Sequence, residues 1–463
     1  MDKKSRFQKM EEDLLQKKKN AWLLEKNKDV FAFAEEYKAF LQESKTERKA
    51  SESILLILKK KGFKDITSVK SAKTGDKIYK VIKAKTIIAF VVGKKKEELR
   101  IVGSHLDSPR LDLKPSPLTE DSNLALLKTH YYGGIKKYHW VNHPMALHGV
   151  VYTKKGKKVT ISIGDNDGDP QFIIPDLLPH LAYKQMEKDS KSVVEGEELN
   201  ILVGNIPVDD DNVKQQIKLH MMQVLNEKYG MEEEDFNYAE LELVPAGKPV
   251  DIGLDRSLIG SYGHDDKVCA YTSLRALLDA KNPEHTTVGF FVDKEEIGSM
   301  GNTGAESLVL NNFAQDYVDK TNISIPPGRL LENSKAISAD VTAGVNPNYK
   351  DVHDLQNASF IGKGVSVEKY GGARGKYSSN DTHAEYMHFI RELLEKGKIS
   401  WQTGELGKVD LGGGGTIAMF MARYGMDVVD VGPCVLGMHS PCEVISKVDV
   451  YAAFRFYTEF YRS

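Results

Sequence analysis

Four segments of this chain run from a short apolar stretch straight into potential metal ligands, and a fifth sets two carboxylates at the start of a helix. That repetition constrains the fold more than any other feature. RIVGSHLDSPR (100–110) ends on His105 and Asp107, and TTVGFFVDKEEIGSM (286–300) ends on the adjacent pair Glu295 and Glu296. KAISADVTAG (335–344) leads to Asp340 and VVDVGPCVLGMHSP (428–441) to His439. The fifth, GSYGHDDKVCAYTSLRALL (260–278), sets Asp265 and Asp266 at the start of a helix that turns Val268, Tyr271, Leu274 and Leu278 inward. Short apolar runs of this kind read as buried strands, and in open α/β sheets the loops beyond their carboxyl ends converge on one crevice.

The rest of the chain supplies helices and further strands. Apolar residues at helical spacing predict helices in MEEDLLQKKKNAWLLEKN, VFAFAEEYKAFLQES and SESILLILKKKGF, within residues 1 to about 62. KTIIAFVVGK and LRIVGSHLDS follow as strands. From about residue 113 the texture changes to short β-like runs (LHGVVYT, KVTISIG, ELNILVG), with one helix near NVKQQIKLHMMQVLNEKYG. Alternating strands and helices then resume. The expected organisation is one discontinuous α/β domain, 1–112 and 246–463, interrupted by a mostly β insertion, 113–245.

Composition narrows the function. Lys+Arg 64 against Asp+Glu 66 leaves a net charge of -2, which speaks against a nucleic-acid binder. The lysine clusters QKKKN, GKKKEE and TKKGKK sit beside acidic residues or turns and read as solvated surface. No stretch approaches the roughly 18 apolar residues of a membrane span, and the first 20 residues lack an apolar core of a secretion signal. Three cysteines, Cys269, Cys434 and Cys442, form no CxxC pair, so a reducing cytoplasm is the expected setting.

Two imidazoles plus three carboxylates meeting at one crevice suit a pair of divalent ions, zinc first, with manganese or cobalt as competitors. Each residue alone has a plainer explanation: a strand-end carboxylate as a turn residue, Asp265 as a helix N-cap, a lone histidine as a hydrogen-bonded core group. Their coincidence at one topological position favours a metal site. Of two neighbouring glutamates only one need bind metal, which leaves the other free to accept a proton. Asp107, two residues after His105, is placed to hold that ring's second nitrogen. Other polar clusters carry less. THYYGGIKKYHWVNHPMALHG brings His130, His139, His143 and His148 close without clustered carboxylates and reads as a surface or interface loop. DLGGGGTIAMF lacks the Lys-Ser/Thr of a phosphate loop and serves close backbone approach.

Taken in order and spacing, GSHLDSPRL, HDDKVCAY, DKEEIGS, SADVTAGVNPNY and LGMHSPCEV resemble the aspartyl aminopeptidase family, peptidase family M18, which includes vacuolar aminopeptidase I. The resemblance spans nearly the whole chain. It implies a metallopeptidase domain with a central mixed β-sheet flanked by helices, plus an inserted β-rich dimerisation domain. It also implies that His105 and Asp340 hold one metal, Glu296 and His439 the other, and that Asp265 bridges them. Glu295 becomes the general base and Asp107 the orienter of His105. His180, in IPDLLPHLAY, resembles a histidine that reaches a neighbouring subunit's site, and family members assemble from dimers into dodecamers. The chain departs from the pattern at Lys267, after the Asp-Asp pair. EKYGGARGKYSSNDTHAEY matches only loosely the part that contacts the substrate's side chain; there Lys369, Lys376 or Tyr377 could favour an acidic residue. Peptides are the implied substrates, with no nucleic-acid or membrane partner. A carboxypeptidase or N-acyl amino acid amidohydrolase of the same core, and a non-catalytic assembly protein, are the rival readings.

Overall fold

The computed structural model describes residues 5–15 and 19–463. Part of the first expected helix and of the QKKKN cluster therefore falls on residues 16–18, outside the described residues; Arg6–Leu14 is helical and Ala21–Leu23 forms one turn of 3-10 helix.

Among the described residues the principal sheet has nine strands, and its middle decides where the chemistry sits. His285–Val292, Lys95–His105, Lys335–Ser338 and Asp427–Gly432 lie side by side and parallel. All four therefore end at the same edge, and their polar residues follow immediately. The flanking strands Thr86–Val91 and Val365–Glu368 run antiparallel to this block, so the sheet is mixed. The residues His285–Val292 are buried throughout, as a strand covered on both faces must be.

Helices cover both faces. Asn27–Glu43, Glu47–Lys60, His264–Asp279 and Lys447–Tyr461 pack into one apolar cluster with Leu274, Ile337 and Phe456. Val309–Thr321 and Ala418–Ala422 close the other face around Phe90, Phe290 and Phe313. The inward residues read from the sequence, Val268, Tyr271, Leu274 and Leu278, are all buried.

A second sheet of six antiparallel strands draws all its strands from residues 110–245, with its own core around Trp140, Leu147 and Leu243. Its long hairpin, Arg110–Asp121 with Leu124–Tyr132, leaves the principal sheet just after His105, and its second strand returns to the same edge, where Tyr132 pairs with Arg110. A third, small sheet pairs Glu443–Ser446 with Leu258–Ser261 on one side and with Cys434–Leu436 on the other. It thereby draws the segments bearing Asp265 and His439 together. No helix among the described residues is long and apolar enough to cross a membrane.

Candidate metal centre

Asp265 lies at the middle of the site, and each of its carboxylate oxygens faces a different imidazole. His105 Nε2 is 3.2 Å from Oδ1, and His439 Nε2 is 3.2 Å from Oδ2. On the His105 side, Asp340 Oδ1 stands 3.7 Å and Glu295 Oε2 3.9 Å from the same ring nitrogen. On the other side, Glu296 Oε2 is 3.3 Å from His439 Nε2. Potential ligand atoms of His105, Asp265 and Glu296 all lie within 4.8 Å of one another, as do those of His105, Glu295 and Asp340. The structure thus brings together all six residues that the sequence singled out for metal and base.

The local backbone explains how. Asp265 and Asp266 have non-helical dihedrals at the head of His264–Asp279, so Asp265 points into the crevice instead of capping the helix. Lys294 and His439 both take left-handed backbone, φ 67° and 64°, which non-glycine residues adopt where surrounding contacts impose it. At Lys294 the chain turns sharply off its strand and presents both glutamates to the same edge.

Asp107 does more than orient one ring. His105 Nδ1 lies 3.1 Å from the Asp107 main-chain carbonyl and 3.4 Å from its carboxylate. The carboxylate itself accepts the backbone N–H groups of Glu295 and Glu296, each at 3.1 Å, and the Tyr132 hydroxyl at 2.9 Å. It ties the imidazole to the acidic pair.

Sequence reasoning missed three supports. Glu443 accepts from the main-chain N–H of His439 at 2.8 Å and of Asp265 at 3.1 Å, joining the two sides of the site from beneath. Its only sequence signal is its place four residues after His439. Asp266 accepts from the His105 N–H at 3.2 Å. The segment read as a surface or interface loop in fact touches the centre, because His439 Nδ1 donates to the Gly134 carbonyl at 2.6 Å. Lys267, the departure noted in the motif, is fully buried and donates to Ser108 Oγ at 2.6 Å; that hydroxyl donates to the Asp265 carbonyl.

Charge is crowded here, and the protein groups alone respond to it. Burial, the largest influence, pushes Glu295 up to about 8, with Asp340, Asp107 and Asp265 adding to it against the pull of His105. Burial likewise raises Glu296 and Asp340. Burial pulls His439 down, but its bond to Asp265 and the Glu296 charge win and push it up to about 10. Burial works to raise Asp265 too, yet both imidazoles hold it well below the usual carboxylate range. Asp265 Oδ1 and Glu296 Oε1 are buried without a hydrogen-bond partner. Buried carboxylates left so need a cation, and two imidazoles among four carboxylates form the donor set of a divalent pair. The residues fit the metals.

The centre opens into a cleft of about 620 Å³, which is also lined by Glu368, Tyr370, Arg374, Lys376, Glu405 and Lys408. Lys376 lies over the Tyr370 ring but spends its charge on Asp381 at 2.8 Å. Tyr377 is 73% exposed, and neither it nor Lys369 lines the cleft. His180 sits in the exposed turn Pro179–Leu181 of the second-sheet region.

The family model for aminopeptidase I zinc metalloprotease (M18) matches residues 40–461. The chain belongs to the M18 family. A probable M18 family aminopeptidase 1 of Borrelia garinii is 47% identical over 457 residues, covering 96% of this chain and all of that protein. The crystal structure of an M18 aminopeptidase from Thermotoga maritima superposes with a TM-score of 0.94 at 46% identity, over 96% of this chain and 99% of that one. A structure of the mApe1 dodecamer of Saccharomyces cerevisiae shares the fold, with TM-score 0.74 and 21% identity over 93% of this chain and 96% of that one. This M18 chain is a metallo-aminopeptidase, and the carboxypeptidase, amidohydrolase and assembly-protein readings fall away.

Proposed function

We propose that this M18 enzyme is dinuclear and removes residues from the free N-terminus of peptides, with two zinc ions per subunit and manganese or cobalt as alternatives. The observation that carries the reading is the Asp265 carboxylate, shared between the two imidazoles. His105 and Asp340 would hold one ion, Glu296 and His439 the other, and Asp265 would bridge them. Bound there, two divalent ions supply a polarised scissile carbonyl and an acidified water. The chain's own groups do the rest. Glu295 takes the proton of the attacking water and returns it to the leaving amine, a role left to the member of the acidic pair that would hold no ion. Asp107 orients His105 and the backbone of the acidic pair, while Glu443 and the Gly134 carbonyl hold His439.

A preference for acidic N-terminal residues would rest on Arg374, Lys376 and Lys408, the lysines and arginine lining the cleft; Glu368 and Glu405 line it too. Rates on Asp-, Glu-, Leu- and Lys-aminoacyl substrates decide between them. We read residues 113–245 as a dimerisation module, with dimers assembling further into a dodecamer like that of mApe1. The exposed apolar stretch of Leu177, Leu178, Leu181 and Tyr183 around His180 supports this, and His180 would act in the neighbouring subunit's site. Mixing inactive Glu295→Gln subunits with His180→Ala subunits should restore part of the activity if His180 works in trans. Metal analysis, with hydrolysis of free-amine and N-acetylated peptides and chelator as control, tests the central reading. Fewer than two ions per subunit, or cleavage of the acetylated peptides alone, would overturn it.

A further inference from the structure

Tyr132 and the two glycines after it close the hairpin of the second sheet against the metal centre. The Tyr132 hydroxyl donates to Asp107 Oδ2 at 2.9 Å, and that same oxygen accepts the Glu296 N–H. Gly133 has φ 76°, left-handed backbone that favours glycine, and a Cβ there would sit close to both Pro109 Cγ, at 3.3 Å, and Glu296 Cβ, at 3.4 Å. Gly134 supplies the carbonyl that holds His439 Nδ1. One short segment from outside the principal sheet thus reaches the supports of both imidazoles.

The hydroxyl is held in turn by a buried ionic group where the two sheets meet. The Arg110 guanidinium lies 3.8 Å from the centre of the Tyr132 ring. It is anchored by Asp112 at 2.7 Å, Glu47 at 3.3 Å and Glu242 at 3.5 Å, and Lys85 meets Glu47 at 2.8 Å. Glu47 comes from a helix packed on the principal sheet and Glu242 from the second sheet. An arginine held on several sides fixes the plane of the ring stacked on it, and so the direction of the hydroxyl.

We propose that Tyr132 is a positioning residue of the metal centre: delivered by the second sheet, its hydroxyl locks the Asp107 carboxylate, and through it the Glu295–Glu296 backbone and His105. A carboxylate with three donors has one orientation. With two backbone donors, one on each oxygen, it can pivot about them and loosen the turn that carries both glutamates. The kinetic consequence rests on the function proposed above; the structural one does not.

Tyr132→Phe in the full-length protein tests it, since the ring and its stacking on Arg110 remain. Amide hydrogen exchange over residues 293–298 in metal-free protein should quicken about tenfold or more. Zinc affinity measured by chelator competition should fall about 10–100-fold, the usual effect of losing a partner behind a metal ligand. The kcat should fall in the same range with KM within about twofold, and the melting temperature should hold. Unchanged exchange over 293–298 overturns the proposal, as does a rise in KM with kcat intact. If the parent protein hydrolyses no peptide, the functional reading fails, while exchange and zinc affinity still decide the role of Tyr132. Should the phenylalanine variant fold poorly, Asp107→Asn must quicken exchange in the same segment, and no change there also overturns the proposal.

Discussion

The two ends of one cleft are built on opposite plans. At the metal end the donors follow buried strands or a helix, and three of them are tied by a second bond: His105 by Asp107, His439 by Gly134, Asp265 by Glu443. Elsewhere in the cleft, beyond the strand that ends at Glu368, the lining sits in turns, with left-handed backbone at Arg374, Lys376 and Ser378, and the cations Arg374, Lys376 and Lys408 are exposed. Chemistry is held rigidly, and the part that meets the substrate's side chain is left to loops that accept substitution. The reaction should therefore tolerate almost no change at one end and absorb single substitutions at the other.

The sharpest way to break this contrast is at the base. Glu295→Gln should lower kcat by about a thousandfold, within the usual range for losing a general base, while metal content stays at the parental level. Activity within tenfold of the parent would move the proton transfer elsewhere. Next comes Asp265→Asn, which removes the charge shared between both imidazoles. Zinc affinity should fall by at least about a hundredfold for both ions together, as read by competition with a chelating dye; loss of one ion alone would deny the bridge.

The pH behaviour of metal-free protein probes the same crowding more gently. Glu295, raised to about 8, favours the folded state most below its ordinary value, and that contribution is lost as pH rises to 8. His439, raised to about 10, gives stability that is complete below its ordinary value near 6.5 and disappears as pH rises through 10. Both trends have the same sign. The melting temperature of metal-free protein should fall steadily between about pH 5 and pH 10, and zinc should flatten or reverse the slope. A metal-free protein that gains stability over this window would contradict the crowding. The smallest effect is expected at the loop-borne end of the cleft: Lys376→Met should change the ratio of kcat/KM for Asp against Leu substrates by less than about threefold, because an exposed ion pair such as Lys376–Asp381 contributes little.

The same contrast explains what could be read in advance. The four parallel strands and the helix at residue 264 were legible because apolar runs of that length have few other uses, and the donors follow them directly. The supports were not. Glu443 lies in a strand where an acidic residue every other position is ordinary, and it acts on backbone N–H groups, which leave no mark in the sequence. Tyr132 and Gly134 were hidden in a histidine-rich stretch that reads as surface, since neither long-range hydrogen bonding nor the return of a hairpin has a local signature. The loop-borne end was opaque for another reason: whether Lys376 is free to meet a substrate depends on Asp381, whose pairing is a matter of turn geometry.

One feature of the principal sheet bears on how such a molecule is made. The strand ending at His105 is flanked by strands that begin at residues 285 and 335, and the last imidazole arrives only at residue 439. A chain emerging from the ribosome therefore carries its first ligand long before its bridging carboxylate or its base. Loop closure over such separations is slow, so the site is among the last features to form. No chain made short of residue 439 holds the whole set of ligands, which keeps a peptide-cleaving centre silent until that histidine has been added.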